Sequence, residues 1–126
     1  MCAARHEPKP SSAAAIWHNP RCATSRKVLA AIRAGGVEPT IVEYLKTPPG
    51  AGEIKAALAA MGMTPRQLLR RKGTPYDELG LDDPKWTSAQ LIALMAKHPL
   101  LIERPVVCTR KGTRLCRPPE RLKEIL

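Results

Sequence analysis

Apolar positions along the chain change period several times, and each change marks an element. AAIWH (14–18) is a short apolar run of strand length. From Ala23 the period becomes helical, with Val28, Leu29 and Ile32 three and four residues apart and Gly35-Gly36 as the stop. TIVEY (40–44) is rich in β-branched residues and predicts a second strand. Gly50 can cap a helix carrying Glu53, with Ile54, Leu58 and Met61 as its buried stripe. Thr64-Pro65-Arg66-Gln67 is a capping box with proline at the first helical position, and it predicts a short helix through Leu68 and Leu69. Thr87-Ser88-Ala89-Gln90 repeats the box and opens a helix with Leu91, Leu94 and Met95 inward, ended by Pro99. PVVCT (105–109), a Lys111-Gly112 turn and TRLC (113–116) predict a hairpin, and ERLKEIL predicts a closing helix behind Pro118-Pro119.

The order is therefore βαβ, a helical block, then ββα. The opening βαβ implies a parallel pair with a right-handed crossover. The expected architecture is α/β and thioredoxin-like: a mixed four-stranded sheet with a helical insertion between βαβ and ββα. One domain is expected over residues 14–126, behind a disordered tail at 1–13. A chain of 126 residues has room for one core and little more.

Composition narrows the function classes. The net charge of +10 raises nucleic acid as a partner. Against that, the chain has no Phe and only 3% aromatics, so a base-stacking platform is not expected. The basic residues gather at 66–72 and 110–123, with Arg26 and Arg104 elsewhere; a solvated basic surface is the plain reading, convergence on a small anion the sharper one, and nucleic acid third. No apolar run reaches the ~20 residues of a membrane helix. The first fifteen residues lack the apolar block of a secretory signal, and a cytoplasmic location is expected.

Cysteines stand at 2, 22, 108 and 116, with no CxxC pair, so neither a zinc site nor a disulfide framework is expected. Cys108 and Cys116 lie in strand-like stretches and read as inert core thiols. Cys22 alone stands in a strand-to-helix turn. Unpaired N–H groups and the positive end of the helix dipole would face it, and both lower a thiol pKa. His18 lies four residues before it, Arg21 is adjacent, and Arg26 is one helical turn beyond. The same backbone donors form an anion cradle. A resolving cysteine in a dithiol oxidoreductase would stand at position 25, where the chain has Ser25. Redox work by Cys22 would thus call for an outside thiol.

From Ile16 onward the chain resembles the glutaredoxin-linked arsenate reductases of the thioredoxin-like superfamily. The resemblance rests on IWHNPRCATSR, EPTIVEYLKTPP, MTPRQLLRRK, PYDELGLDD, HPLLIERPVV and GTRLCRP, in that order and without large gaps. It implies that Cys22 attacks arsenate to form a thiol–arsenate adduct. Glutathione then attacks the adduct and glutaredoxin completes reduction to arsenite, with no bound cofactor and no metal. It implies that Arg70, Arg104 and Arg117 hold the oxyanion and that His18 favours the thiolate, with Ser25 and Arg26 supporting the turn. Pro105 matches the superfamily's cis-proline before the strand that faces the cysteine.

Four departures accompany the resemblance, one being that Cys108 is not a usual family thiol. Ala23 stands where the family commonly has glycine, which fits if its φ is negative. Arg21 adds a charge where a small residue is common. Many relatives also have a longer C-terminal tail, which holds none of the matched residues. The alternatives are a redox-responsive regulator of this fold that binds RNA polymerase, which usually carries a CxxC pair, or a related thiol reductase of another substrate.

Overall fold

The computed structural model describes residues 13–126. The expected tail therefore lies, but for Ala13, outside the described residues. The element order is β1 (Ala14–Trp17), α1 (Ala23–Ala34), β2 (Thr40–Val42), α2 (Ala51–Met61), α3 (Pro65–Leu68), α4 (Ser88–Lys97), β3 (Val106–Thr109) and β4 (Gly112–Leu115). Two 3₁₀ turns, Pro99–Leu101 and Pro119–Glu124, precede β3 and follow β4.

The sheet runs β2-β1-β3-β4, with β1 parallel to β2 and antiparallel to β3, and β3 antiparallel to β4. This is the mixed four-stranded thioredoxin-like arrangement expected from the pattern. Every residue of β1 is buried, because helices cover both sheet faces. Ala14, Ile16 and Val107 face α1, meeting Val28, Leu29 and Ile32 together with Leu122 of the last 3₁₀ turn and Ile125 just after it. Trp17, Val42, Val106 and Leu115 face the other way, against Ile54, Leu58, Leu68, Leu91 and Met95 of the inserted helices. Successive residues of a strand thus serve opposite cores, as the two-residue period requires.

Both threonine capping boxes form. Thr64 Oγ1 accepts from the Gln67 N–H and Thr87 Oγ1 from the Gln90 N–H, while each glutamine side chain accepts from the N–H of its threonine. The Gly50 helix is closed by the Glu53 carboxylate, which accepts from the Gly50 N–H. Gly62 ends α2 in the left-handed conformation at φ 66°, where a side chain would be strained.

Three expectations need correction. β2 stops at Val42, two residues short of the expected TIVEY strand. The Glu43 carbonyl accepts from the N–H groups of Lys46 and Thr47, which turns the chain and drives Tyr44 fully into the core. The short helix ends at Leu68, because Leu69 pairs as an isolated antiparallel bridge with Ile102. The closing helix is a 3₁₀ turn, not an α-helix; it begins with Pro119 and turns only as far as its buried Leu122 and the following Ile125 require.

The strand register decides where the site sits. Trp17 at the end of β1 lies opposite Val42 at the end of β2 and Val106 at the start of β3, and Val106 lies opposite Leu115 at the end of β4. Hence the segments holding His18 and Cys22, Tyr44, Arg104 and Arg117 all leave the sheet at one rim.

Candidate active site

Cys22 is the N-cap of α1, with φ −92° and ψ 120°, and its carbonyl accepts the first helical bond from the Arg26 N–H at 3.0 Å. The turn before it is closed by the Cys22 N–H donating to the Asn19 carbonyl at 3.0 Å. The Asn19 side chain accepts from the Arg21 N–H. Arg26 reaches back and donates to the Pro20 carbonyl at 2.8 Å. Arg26 therefore braces the turn through its backbone. Ala23 begins the helix, and among the described residues no residue other than glycine has a positive φ. Alanine therefore fits this cradle.

The thiol is only 8% exposed. Burial opposes its ionisation. The Ser25 backbone N–H and the guanidinium groups of Arg104 and Arg117 outweigh that cost and bring the pKa down to about 7. Arg117 Nη1 lies 3.9 Å from the Cys22 sulfur and donates to the Arg104 carbonyl at 3.2 Å. Cys116 differs in each respect. Burial pushes its pKa up to about 12, as an inert core thiol requires. Cys108 is half-buried and disulfide-bonded, which corrects the expectation of a free core thiol there.

His18 is placed behind the cysteine. Its Nδ1 is 2.6 Å from Ser25 Oγ, and Ser25 Oγ also accepts from the Asn19 N–H at 3.1 Å. Burial lowers the His18 pKa; Glu43 opposes this, and Arg33 and Arg26 add to it. Burial thus disfavours the imidazolium, and the ring meets the site through its bond to Ser25. Its influence runs through Ser25, whose N–H faces the sulfur. His18 and Ser25 are positioning residues in this geometry.

The three arginines arrive from distant segments. Arg104 and Arg117 each precede a cis-proline, Pro105 as expected and Pro118 in addition. Arg104 Nε is buried without a protein partner. Arg70 follows α3 and is joined to the group through Glu103: its Nη1 donates to Glu103 Oε1 at 2.8 Å, and Arg117 Nε is 3.8 Å from the same oxygen. Arg71, its neighbour, turns outward to Asp77 and Asp82. Geometry therefore separates the two arginines that spacing alone leaves equivalent.

Two residues of this rim escaped the sequence reading. Glu103 is one. Tyr44 is the other, wholly buried, with its hydroxyl in the field of Arg104 and toward Asn19. Burial raises its pKa, against the pull of Arg104. Its place in a β-branched stretch made it look like a strand residue. Among the described residues, no three His, Cys, Asp or Glu side chains gather as a metal site. No helix among them is long and apolar enough to cross a membrane.

A cluster of this kind can hold an anion with several negative oxygens and bring a thiolate to its central atom. The profile of the ArsC family matches residues 17–125. An arsenate reductase of Rhizobium meliloti is 55% identical over 111 residues, 88% of this chain and 79% of that protein. An arsenate reductase of Escherichia coli K12 is 53% identical over the same shares. The structure of an arsenate reductase from Vibrio cholerae superposes with a TM-score of 0.87 at 39% identity, covering 92% of this chain and 99% of that one.

Proposed function

The chain belongs to the ArsC family, and from that premise we propose that it reduces arsenate to arsenite with Cys22 as nucleophile. The observation that carries the assignment of residues is the lowered thiol of Cys22 beside Arg117 at 3.9 Å, at a helix N-terminus.

Arsenate, like phosphate, is largely dianionic near neutral pH. A thiolate approaching it is repelled, and fixed cations must offset that repulsion. Arg104 and Arg117 do so at the sulfur, and Arg70 extends the positive rim. A guanidinium presents a planar fork to two oxygens at once, which an ammonium cannot do. Arg104 Nε, buried without a protein partner, is a donor that an oxyanion would satisfy. The Cys22 sulfur displaces one oxygen, which leaves as water after protonation, and an S–As bond forms. The arginines stabilise charge on the departing oxygen.

Arsenic must then accept two electrons. Ser25 at the position of a resolving cysteine leaves none locally, so we assign them to two outside thiols. Glutathione attacks the adduct, and glutaredoxin completes the reduction. The two thiols leave joined as a disulfide, arsenite departs, and Cys22 returns as thiol. Glutathione and glutaredoxin place this work in the cytoplasm.

The test is NADPH oxidation with glutathione, glutathione reductase and glutaredoxin. Arsenate should drive oxidation by the native chain and none by a folded Cys22→Ser variant. Substantial activity in that variant would refute the assignment of the nucleophile.

A further inference from the structure

Glu103 stands in an unexpected position. A site for a dianion gains from every unbalanced positive charge, yet this carboxylate lies inside the clamp. Its Oε1 is 2.8 Å from Arg70 Nη1 and 3.8 Å from Arg117 Nε. The side chains of Arg70, Glu103 and Arg117 are only 15%, 19% and 34% exposed, so water screens the group poorly. The backbone fixes it there. The Glu103 N–H donates to the Leu68 carbonyl at 2.8 Å, and the Arg70 N–H to the Leu101 carbonyl at 2.7 Å. These bonds tie the segment after α3 to the segment before β3 and hold the Glu103 backbone beside Arg70.

Other donors of the two arginines remain in use. Arg70 Nε donates to the Lys72 carbonyl, and Arg117 Nη1 to the Arg104 carbonyl. Glu103 is therefore no bystander on a spare guanidinium edge. It sets a negative charge against the arginines at the place where a second anion must bind.

Phosphate has the charge and tetrahedral shape of arsenate, so a guanidinium clamp holds both. They part only when the Cys22 sulfur bonds to arsenic. Strong ground-state binding would then let phosphate occupy the site while adding nothing to the covalent step. We infer that Glu103 is the internal counter-ion of the clamp and a specificity-determining residue: it weakens oxyanion binding in the ground state and so limits occupation by phosphate. This rests on the proposed arsenate chemistry and refines it.

The test uses the full chain and inorganic phosphate. Alkylation of Cys22 is followed well above its ionisation midpoint, and phosphate protection gives a Kd for the native protein and for Glu103→Gln. Glutamine keeps an oxygen for Arg70 and removes the charge. Glu103→Gln should bind phosphate about tenfold more tightly. Its KM for arsenate should fall without a rise in kcat, and Glu103→Asp should stay near the native Kd. A residue that merely anchors the arginines predicts the opposite, so unchanged or weaker phosphate binding in Glu103→Gln overturns the inference and leaves the arsenate assignment standing. Protection of neither protein overturns the clamp itself, and the inference with it. Should Glu103→Gln fail to fold, Glu103→Asn carries the same neutral change and the same expected gain.

Discussion

At the scale of single residues, the proposed chemistry rests on one sulfur and the charges around it. Cys22 is set at about 7 by the Ser25 N–H, Arg104 and Arg117 acting against burial. Its thiolate fraction therefore rises as pH rises through that value, and the rate of alkylation should trace the same curve. Arg117→Met removes a lowering charge, so the midpoint should move upward; an unmoved midpoint would separate Arg117 from the thiolate. Arg104→Lys keeps a charge but loses the fork. It should lower kcat/KM for arsenate on the order of a hundredfold, the cost of an oxyanion donor elsewhere. Of these residues, Cys22 and Pro105 could be picked out along the chain, because a turn and a proline mark their places. Glu103 could not. Its partner Arg70 is far away in sequence, and IERP reads locally as a polar step before a strand. His18 was legible as a residue of the Cys22 turn. Its surroundings were not, because only the fold shows that it is buried and bonded to Ser25.

At the scale of elements, local chemistry predicted the starts better than the ends. Helix starts carry side-chain signals, and both Thr-x-x-Gln boxes form as the pattern predicts. Thr87→Ala should lower stability by about 1 kcal/mol, the typical value of such a cap, and leave Cys22 alkylation unchanged. A denaturant midpoint and an alkylation rate together check both halves. Ends depend on packing instead. β2 stops early because the Glu43 carbonyl collects two N–H groups and Tyr44 is taken into the core. The short helix stops at Leu68 because Leu69 finds a partner at Ile102. Ile102 lies outside any local window around Leu69. The same bridge carries Glu103 to Arg70, so the misread element boundary and the missed charge have one cause.

At the scale of the whole molecule, sheet order converts scattered sequence into one rim. The antiparallel turn of β3 against β1 brings the Arg104-Pro105 step to the end of β1, where the Cys22 turn begins. β4 then returns Arg117 to the same rim. Both cores hold this frame, α1 on one sheet face and the inserted helices on the other. The βαβ–helices–ββα order was legible because glycine, proline and capping threonine punctuate it. The bringing together of the arginines is a consequence of that order, and no spacing of basic residues would have revealed it alone. In the proposed reaction the sulfur of Cys22 bonds to arsenic. Arsenic-edge X-ray absorption on the protein mixed with arsenate, before any outside thiol is added, reads that bond. A sulfur neighbour to arsenic is expected in the native protein and is lost in Cys22→Ser. An all-oxygen shell in the native protein, with Cys22 reduced and reactive, would contradict it.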